Sequence, residues 1–233
     1  MNIYWTIDNK RVHGSLRAEE PVEIYKHLFK DKDSSQLDYT KCPAFKDYFN
    51  NVYGLKSLYS YKLKKQGPQF SSPLYGQEFF DSNVRIHSAE EKLISLHPHI
   101  IFFTDSPSLK MSVEHPYFED NKFTKTCYAV PGIVDIGKYY RFMDFAFHIK
   151  KEYNTFEIDE GDVQLYLRFH TEEKIKFKQY YMTDRLREYA FMVEHIKETT
   201  ANKALRPLSY FYGIYKKSNL KDRTLKEIDE NLV

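Results

Sequence analysis

Hydrophobic and polar residues alternate with a period of two over much of the middle of the chain, and this pattern predicts β-strands. Successive side chains of a strand point to opposite faces, so that one apolar face can be buried. The clearest alternation is at residues 145–149 and 163–169, with further strand-like segments at residues 3–7, 52–55 and 59–63. The strongest strand signals lie between residues 133 and 182.

Two further segments suggest a hairpin. The mostly apolar residues 93–103 are followed by the sequence Asp105-Ser106-Pro107-Ser108 and then by the alternating residues 109–113. Proline among short polar residues is typical of a turn, so the two segments are expected to pair. In the same way, residues 67–83 are expected to form a loop, and residues 136–141 are expected to begin a strand.

Near the C-terminus the apolar residues change to helical spacing. Leu186, Ala190, Val193 and Ile196 are separated by four, three and three residues, which is typical of an amphipathic helix. Thr183 can cap its N-terminus. The pattern predicts helices near residues 21–30, 184–198 and 222–232, and an aromatic link at residues 205–215 that packs against the sheet.

Composition favours sheet as well. The 233 residues include 20 Tyr and 18 Phe, and aromatic residues suit a pleated, half-buried surface. We therefore expect an α+β, β-dominated fold, with an antiparallel β-sandwich or jelly-roll-like core, a short N-terminal helix and C-terminal helices. One domain is expected over residues 1–233, with a β-rich core at about 50–182 and a helical extension at about 183–233.

Charge and hydropathy narrow the choice of partners. The formal net charge is only +2, whereas a surface that follows nucleic-acid phosphates usually carries a clear basic excess. The longest apolar run, residues 100–103, is far shorter than the roughly 20 residues that span a bilayer. We expect a soluble protein that binds neither nucleic acid nor membrane.

His97 and His99 are the candidate metal ligands. Residues two apart on a strand share a face, so their imidazoles could hold one ion, as in a cupin-like metal-dependent enzyme. The other candidate ligands do not have cupin spacing, and Pro98 cannot donate to a β-ladder. Histidines at a strand edge or in a loop are the alternative. No cofactor is expected, with a divalent metal as the alternative. The residues tested against cupin spacing are Glu114, His115, His170 and Glu172.

Arg141, Tyr139 and Asp144 form a candidate binding site for a small anion. An arginine among tyrosines can bind a carboxylate or a phosphate. Stacking of Arg141 on a tyrosine and pairing with Asp144 would give the same pattern for purely structural reasons. No catalytic residue is assigned, because the sequence lacks a phosphate loop, a Gly-x-Ser-x-Gly elbow and a His-Glu-x-x-His motif.

Three segments resemble a family of uncharacterised proteins from tailed phages that infect marine bacteria, the cyanophage-like hypothetical proteins. They are residues 39–53 (YTKCPAFKDYFNNVY), 130–141 (VPGIVDIGKYYR) and 160–169 (EGDVQLYLRF). The resemblance covers roughly residues 1 to 215 and implies a viral origin, in the host cytoplasm or the virion. It implies no particular chemistry.

The leading expectation is therefore a phage-encoded structural or protein-interaction protein that binds a protein partner or itself. The two alternatives are a cupin-like metal-dependent enzyme that uses His97 and His99, and a binder of a small anionic ligand around Arg141.

Overall fold

A computed structural model describes residues 1–11, 19–29, 42–200, 202 and 206–233. The described residues form helices and strands in mixed order, with most strands before residue 180 and the longer helices after it. The helices are α1 (Ile24–Phe29), α2 (Pro43–Tyr48), α3 (Gln77–Asn83), α4 (Lys122–Thr126), α5 (Asp184–Thr199), α6 (Leu208–Lys217) and α7 (Leu220–Asp229).

Short strands make up the rest of the regular structure. They are β1 (Asn2–Ile7), β2 (Val22–Glu23), β3 (Val52–Lys56), β4 (Tyr61–Gln66), β5 (Gln69–Ser71), β6 (Val84–Ser88), β7 (Leu93–Leu96), β8 (Ile100–Phe103), β9 (Lys110–Glu114), β10 (Cys127–Ala129), β11 (Gly132–Asp135), β12 (Phe145–Ile149), β13 (Thr155–Ile158), β14 (Val163–Phe169) and β15 (Lys176–Gln179).

The described strands form four sheets, ordered β15-β1-β8, β10-β12-β7-β6, β11-β9-β14-β3-β2 and β13-β4-β5. The pair β1 and β15 is parallel, and the other strand pairs are antiparallel. The expected α+β class, with mostly antiparallel sheets and C-terminal helices, is confirmed.

Strands β1 and β8 of the sheet β15-β1-β8 are buried on both faces, which explains the apolar run at residues 100–103. Ile100 and Phe102 pack into a large core together with Ile3 and Trp5. Ile101 and Phe103 face the other way, into a second core built with the C-terminal helices. A strand covered on both faces is apolar at every position and does not alternate.

The second core shows why the C-terminal helices pack where they do. The apolar stripe of α5 supplies Leu186, Ala190 and Val193, all buried, and α7 adds Ile228. Thr183 caps α5 as predicted, since its hydroxyl accepts a hydrogen bond from the backbone N–H of Leu186. The helices expected near residues 184–198 and 222–232 are confirmed. The helix expected at 21–30 begins only at Ile24, after β2.

The predicted hairpin is wrong. Residues 93–103 form two strands in different sheets. The extended conformation is interrupted at residues 97–99, where His99 has a φ of 54°. β8 pairs with β1, whereas β9 pairs with β11 and β14. The local turn signal between β8 and β9 marks a change of sheet.

Three other local predictions are wrong. Residues 136–141 form no strand, because the chain leaves β11 and reaches β12 as an irregular link with Ile136 and Tyr140 fully buried. The expected loop at 67–83 contains β5 and α3, and the expected link at 205–215 overlaps α6. Phe79 anchors α3 in the first core, while Phe211 and Tyr215, four residues apart, anchor α6 in the second.

Candidate functional site

A polar cleft with a volume of about 780 Å³ lies beside the sheet β10-β12-β7-β6. Side chains from α3, β6 and α5 line it, together with the links β7–β8 and β11–β12 and the turn that follows β1. Its size is in the range of small-molecule sites. In the described part of the chain, no helix is both long enough and apolar enough to cross a bilayer.

A carboxylate shared by two partners lies in this cleft. Oδ1 of Asp144 is 2.6 Å from Nδ1 of His97, and the NH2 group of Arg141 donates to Oδ2 of Asp144 at 2.9 Å. Burial by itself would raise the pKa of Asp144. The hydrogen bond with His97 and the charge of Arg141 outweigh that effect and hold the pKa below its usual value.

Strand pairing brings Asp144 and His97 together. β7 and β12 are antiparallel, and Leu96 at the end of β7 lies opposite Phe145 at the start of β12. His97 directly follows Leu96, and Asp144 directly precedes Phe145. The two side chains therefore meet at the same end of the sheet, where both strands give way to irregular links.

His99 and Tyr139 also line the cleft, and each has a buried polar atom without a described partner. His99 is 5% exposed and Tyr139 is 2% exposed. Within the described residues, Nε2 of His99 and the hydroxyl of Tyr139 make no hydrogen bond. Burial, followed by the charge of Arg11, lowers the pKa of His99 to about 4. His99 is therefore a neutral imidazole near neutral pH.

His87 is the third histidine of the cleft, and its ring is hydrogen-bonded to a residue of the neighbouring strand. Its Nε2 lies 2.6 Å from the hydroxyl of Ser95 on the neighbouring strand β7. Burial, with a contribution from Arg85, lowers its pKa. Hydrogen bonding to Ser95 fixes the orientation of the ring and occupies Nε2.

The charged groups of the cleft are balanced in number but differ in how they are paired. Lys10 pairs with Asp184, outside the cleft lining. The guanidinium of Arg11 lies over the ring of Phe191, with 4.8 Å between its central carbon and the ring centroid. Arg85 makes no ion pair within the described ranges. Five basic side chains line the cleft, namely Lys10, Arg11, Arg85, Arg141 and Lys197, with five acidic ones, namely Glu78, Asp81, Asp144, Glu194 and Glu198.

Glu194 on α5 has an environment opposite to that of Asp144. Burial raises its pKa, and the charge of Arg141 only partly opposes this effect. The pKa values of two carboxyl groups in one cleft are thus shifted in opposite directions, and such a difference is common at functional sites.

The structure brings together residues that the sequence assigned to two separate sites. Tyr139, Arg141 and Asp144, the candidate anion site, line the same cleft as the candidate metal ligands His97 and His99. The strand geometry assumed for the metal site is wrong, since His97 and His99 lie in the link between β7 and β8. Among the described residues, no group of three or more His, Cys, Asp or Glu side chains is placed to hold a metal ion.

Three of the other residues weighed as metal ligands make structural contacts, and none of the four lines the cleft. Glu114 pairs with Arg168 across β9 and β14, with 2.6 Å between Oε1 and Nε. Nδ1 of His115 accepts a hydrogen bond from the backbone N–H of Ala129. His170 bonds the hydroxyl of Ser112.

Several residues that line the cleft were not predicted from the sequence, among them Arg11, Arg85, His87 and Glu194. Arg85 and His87 are two apart on β6, a spacing typical of a shared strand face. They directly follow residues 67–83, for which the sequence predicts a loop. Glu194 lies beside Val193, on the polar side of the stripe of α5, where a carboxylate looks like ordinary solvated surface.

Comparison with known proteins does not assign the chain to a family. No protein-family model matches the chain, and no curated protein matches it significantly.

Proposed function

We propose that the protein binds a small anionic molecule in the cleft, with Arg141 as the central contact. The observation that supports this proposal is that Arg141 has hydrogen-bond donors without a protein acceptor among the described residues. A guanidinium has five N–H donors, and Arg141 uses one at Nε, on the carbonyl of Phe142, and one at NH2, on Asp144. Its side chain is 15% exposed and lines the cleft, so donors remain for a ligand.

The surrounding charges favour a small ligand over a polyanion. Arg11 and Arg85 add positive charge that no carboxylate neutralises at ion-pair distance within the described ranges. The acidic side chains of α3 and α5, among them Asp81 and Glu198, would repel a long phosphate backbone. A compact anion that enters between these walls can contact the arginines and avoid the acidic groups.

A thermal-shift titration with sulfate tests this proposal. Binding at ten times the dissociation constant stabilises a protein by about 1.4 kcal/mol, which raises the melting temperature by roughly 3–6 °C at this chain length. Sulfate also stabilises proteins generally, because it is excluded from their surfaces. The specific effect must therefore saturate at low concentration and exceed that of chloride at equal ionic strength.

The matched variants are Arg141→Gln and Arg185→Gln. Both remove an arginine from an ion pair, since Arg185 pairs with Glu227 on α7, but Arg185 does not line the cleft. We expect the saturable shift to disappear in Arg141→Gln and to persist in Arg185→Gln. If sulfate, phosphate and a dicarboxylate all fail to give a saturable shift with the wild-type protein, the proposal is wrong.

A second candidate function is the structural or interaction role expected from the sequence. Tyr48, Tyr117 and Phe118 are each more than 40% exposed, and the ring of Tyr117 contacts the rings of the other two. Contiguous apolar surface on a protein often marks a partner site. Light scattering should show self-association that Phe118→Ser weakens. A monomer at every concentration would count against self-assembly. The phage origin, and a setting in the host cytoplasm or the virion, stay predictions from the resemblance.

We also propose the finer fold expectation, a sandwich or jelly-roll-like arrangement. Met111 and Leu167 of one sheet and Ile94 and Phe147 of another contribute to the same core, as the inner faces of a sandwich do.

A further inference from the structure

The hydroxyl of Tyr139 is a polar group of the cleft that the contacts within the protein do not explain. Tyr139 lines the cleft and is 2% exposed, yet its buried hydroxyl has no hydrogen-bond partner among the described residues. Buried polar groups in folded proteins are nearly always hydrogen-bonded, because leaving one unpaired is costly. An unpaired hydroxyl at a cleft therefore indicates a partner from outside the chain, in this case a ligand.

Charged groups of the cleft lie close to this hydroxyl. The central carbon of the Arg141 guanidinium is 5.9 Å from the centroid of the Tyr139 ring. Burial is the main cause that raises the pKa of Tyr139, the charge of Arg141 opposes it, and the charge of Glu194 adds to it. Both charged side chains line the cleft. Their effects on the hydroxyl indicate that it is on the cleft side of the ring.

One oxyanion can reach both Arg141 and Tyr139. Two hydrogen bonds of about 2.8 Å each, with the width of a sulfate ion between them, span more than the 5.9 Å from the guanidinium carbon to the ring centroid. Arg141 keeps unused N–H donors, and a phenolic hydroxyl adds one more. Because burial raises the pKa of Tyr139, the hydroxyl stays protonated near neutral pH and can donate to an anion.

His99 is another described cleft residue with an unpaired buried atom. Whether its Nε2 is a donor or an acceptor depends on the tautomer of the ring. This atom therefore does not indicate the charge of a ligand. The hydroxyl of Tyr139 is not ambiguous in this way, because it can always turn its proton toward an anion.

We propose that the ligand carries an oxyanion group held jointly by the guanidinium of Arg141 and the hydroxyl of Tyr139, each of which donates a hydrogen bond to one of its oxygens. This proposal rests on the anion-binding function proposed above. It adds a second contact residue and the chemistry of the bound group. Since the hydroxyl is covered in the structure, the long side chain of Arg141, which faces the Tyr139 ring, turns to admit the ligand.

The variant Tyr139→Phe tests this assignment, with Tyr140→Phe as its matched control. Each removes one buried hydroxyl, but that of Tyr140 is 3.0 Å from the hydroxyl of Tyr180, and Tyr140 does not line the cleft. Calorimetric titration with sulfate should give an affinity about tenfold lower in Tyr139→Phe, because a hydrogen bond to a charged acceptor is lost. Tyr140→Phe should bind sulfate as the wild-type protein does.

Urea unfolding of the unliganded variants separates a binding role from a structural one. Tyr139→Phe removes a hydroxyl that has no described protein partner, so its unfolding midpoint should be at least as high as that of the wild type. Tyr140→Phe leaves the buried hydroxyl of Tyr180 unpaired, so its midpoint should fall. The two variants are thus expected to show opposite patterns of affinity and stability.

A second measurement follows the hydroxyl in the wild-type protein by nuclear magnetic resonance. Tyrosine is isotope-labelled at the ring carbon that bears the hydroxyl, and the signal of Tyr139 is assigned by its absence from Tyr139→Phe. Saturating sulfate should shift this signal and leave that of Tyr140 in place.

Four results would each overturn this proposal and leave the anion-binding function standing. They are wild-type sulfate affinity in Tyr139→Phe, an equal loss of affinity in Tyr140→Phe, a lowered unfolding midpoint of Tyr139→Phe, and a Tyr139 signal that sulfate does not shift. An absence of sulfate binding to the wild-type protein would overturn both proposals.

Discussion

Replacing Arg187 by methionine should destabilise the protein strongly, because it leaves a buried carboxylate without its counter-charge. Asp8, in the turn after β1, has no exposed surface. Nε and NH2 of Arg187 donate to its two oxygens, each at 2.8 Å. This bidentate pair joins the first strand to α5 across 179 positions of sequence.

The burial of this pair sets the size of the effect. The side chain of Arg187 is 13% exposed and that of Asp8 is fully buried, so water screens the pair little. Removing one partner of a buried ion pair costs about 3–5 kcal/mol. The low end of this range is expected here, since the backbone N–H of Lys10 still donates to Asp8. By contrast, Lys10 and Asp184 are 66% and 72% exposed, and such a pair contributes less than about 1 kcal/mol.

Urea unfolding, followed by circular dichroism, measures both changes as shifts in the midpoint at constant slope. Arg187→Met should lower the free energy of unfolding by about 3 kcal/mol, and Lys10→Met should change it little. Adding Asp8→Asn to Arg187→Met should restore part of the loss, because the unpaired charge is gone. If Arg187→Met unfolds within about 1 kcal/mol of the wild type, the burial argument fails.

Two further predictions concern the buried imidazole of His99 and the close backbone contact at Gly137. Because burial depresses the pKa of His99 to about 4, the unfolded chain binds a proton there before the folded protein does. Stability should fall by up to roughly 3 kcal/mol as the pH drops from about 6.5 toward 4. His99→Asn, which suits the positive φ, should lack this component in urea melts at the two pH values, and an unchanged pH dependence would contradict it. A Cβ on Gly137 would lie 2.5 Å from the backbone oxygen of Ser106, whereas one on Gly132 would meet no atom within 4 Å. Gly137→Ala should therefore cost about 1–3 kcal/mol and Gly132→Ala little, and equal melting temperatures for the two variants would refute the steric argument.

Local periodicity predicted the elements that bury one face and expose the other. Helix α5 was placed within one residue at its C-terminal end, because its apolar stripe and its Thr183 cap are both local signals. Helix α6 was missed since its tyrosines and phenylalanine resemble strand composition. The hairpin prediction failed because a turn sequence does not determine which strand pairs with which, and β8 pairs with β1, about a hundred residues away in sequence.

The candidate site was only partly predictable for the same reason. Arg141, Tyr139 and Asp144 are close in sequence, so they could be grouped from the residues alone. The contact between Asp144 and His97 depends on the pairing of β7 with β12, which no local pattern reveals. His97 was therefore assigned to a metal site with His99, whereas the structure gives it a carboxylate partner.

The most direct test of the anion-binding cleft is the position of a bound anion. Selenate has the shape and charge of sulfate, and its selenium gives an anomalous diffraction signal. In crystals that leave the cleft open to solvent, selenate should give a strong peak within hydrogen-bonding distance of Arg141, and this peak should be absent in Arg141→Gln. Peaks found only outside the cleft, or a peak in the cleft that persists in Arg141→Gln, would contradict the central claim.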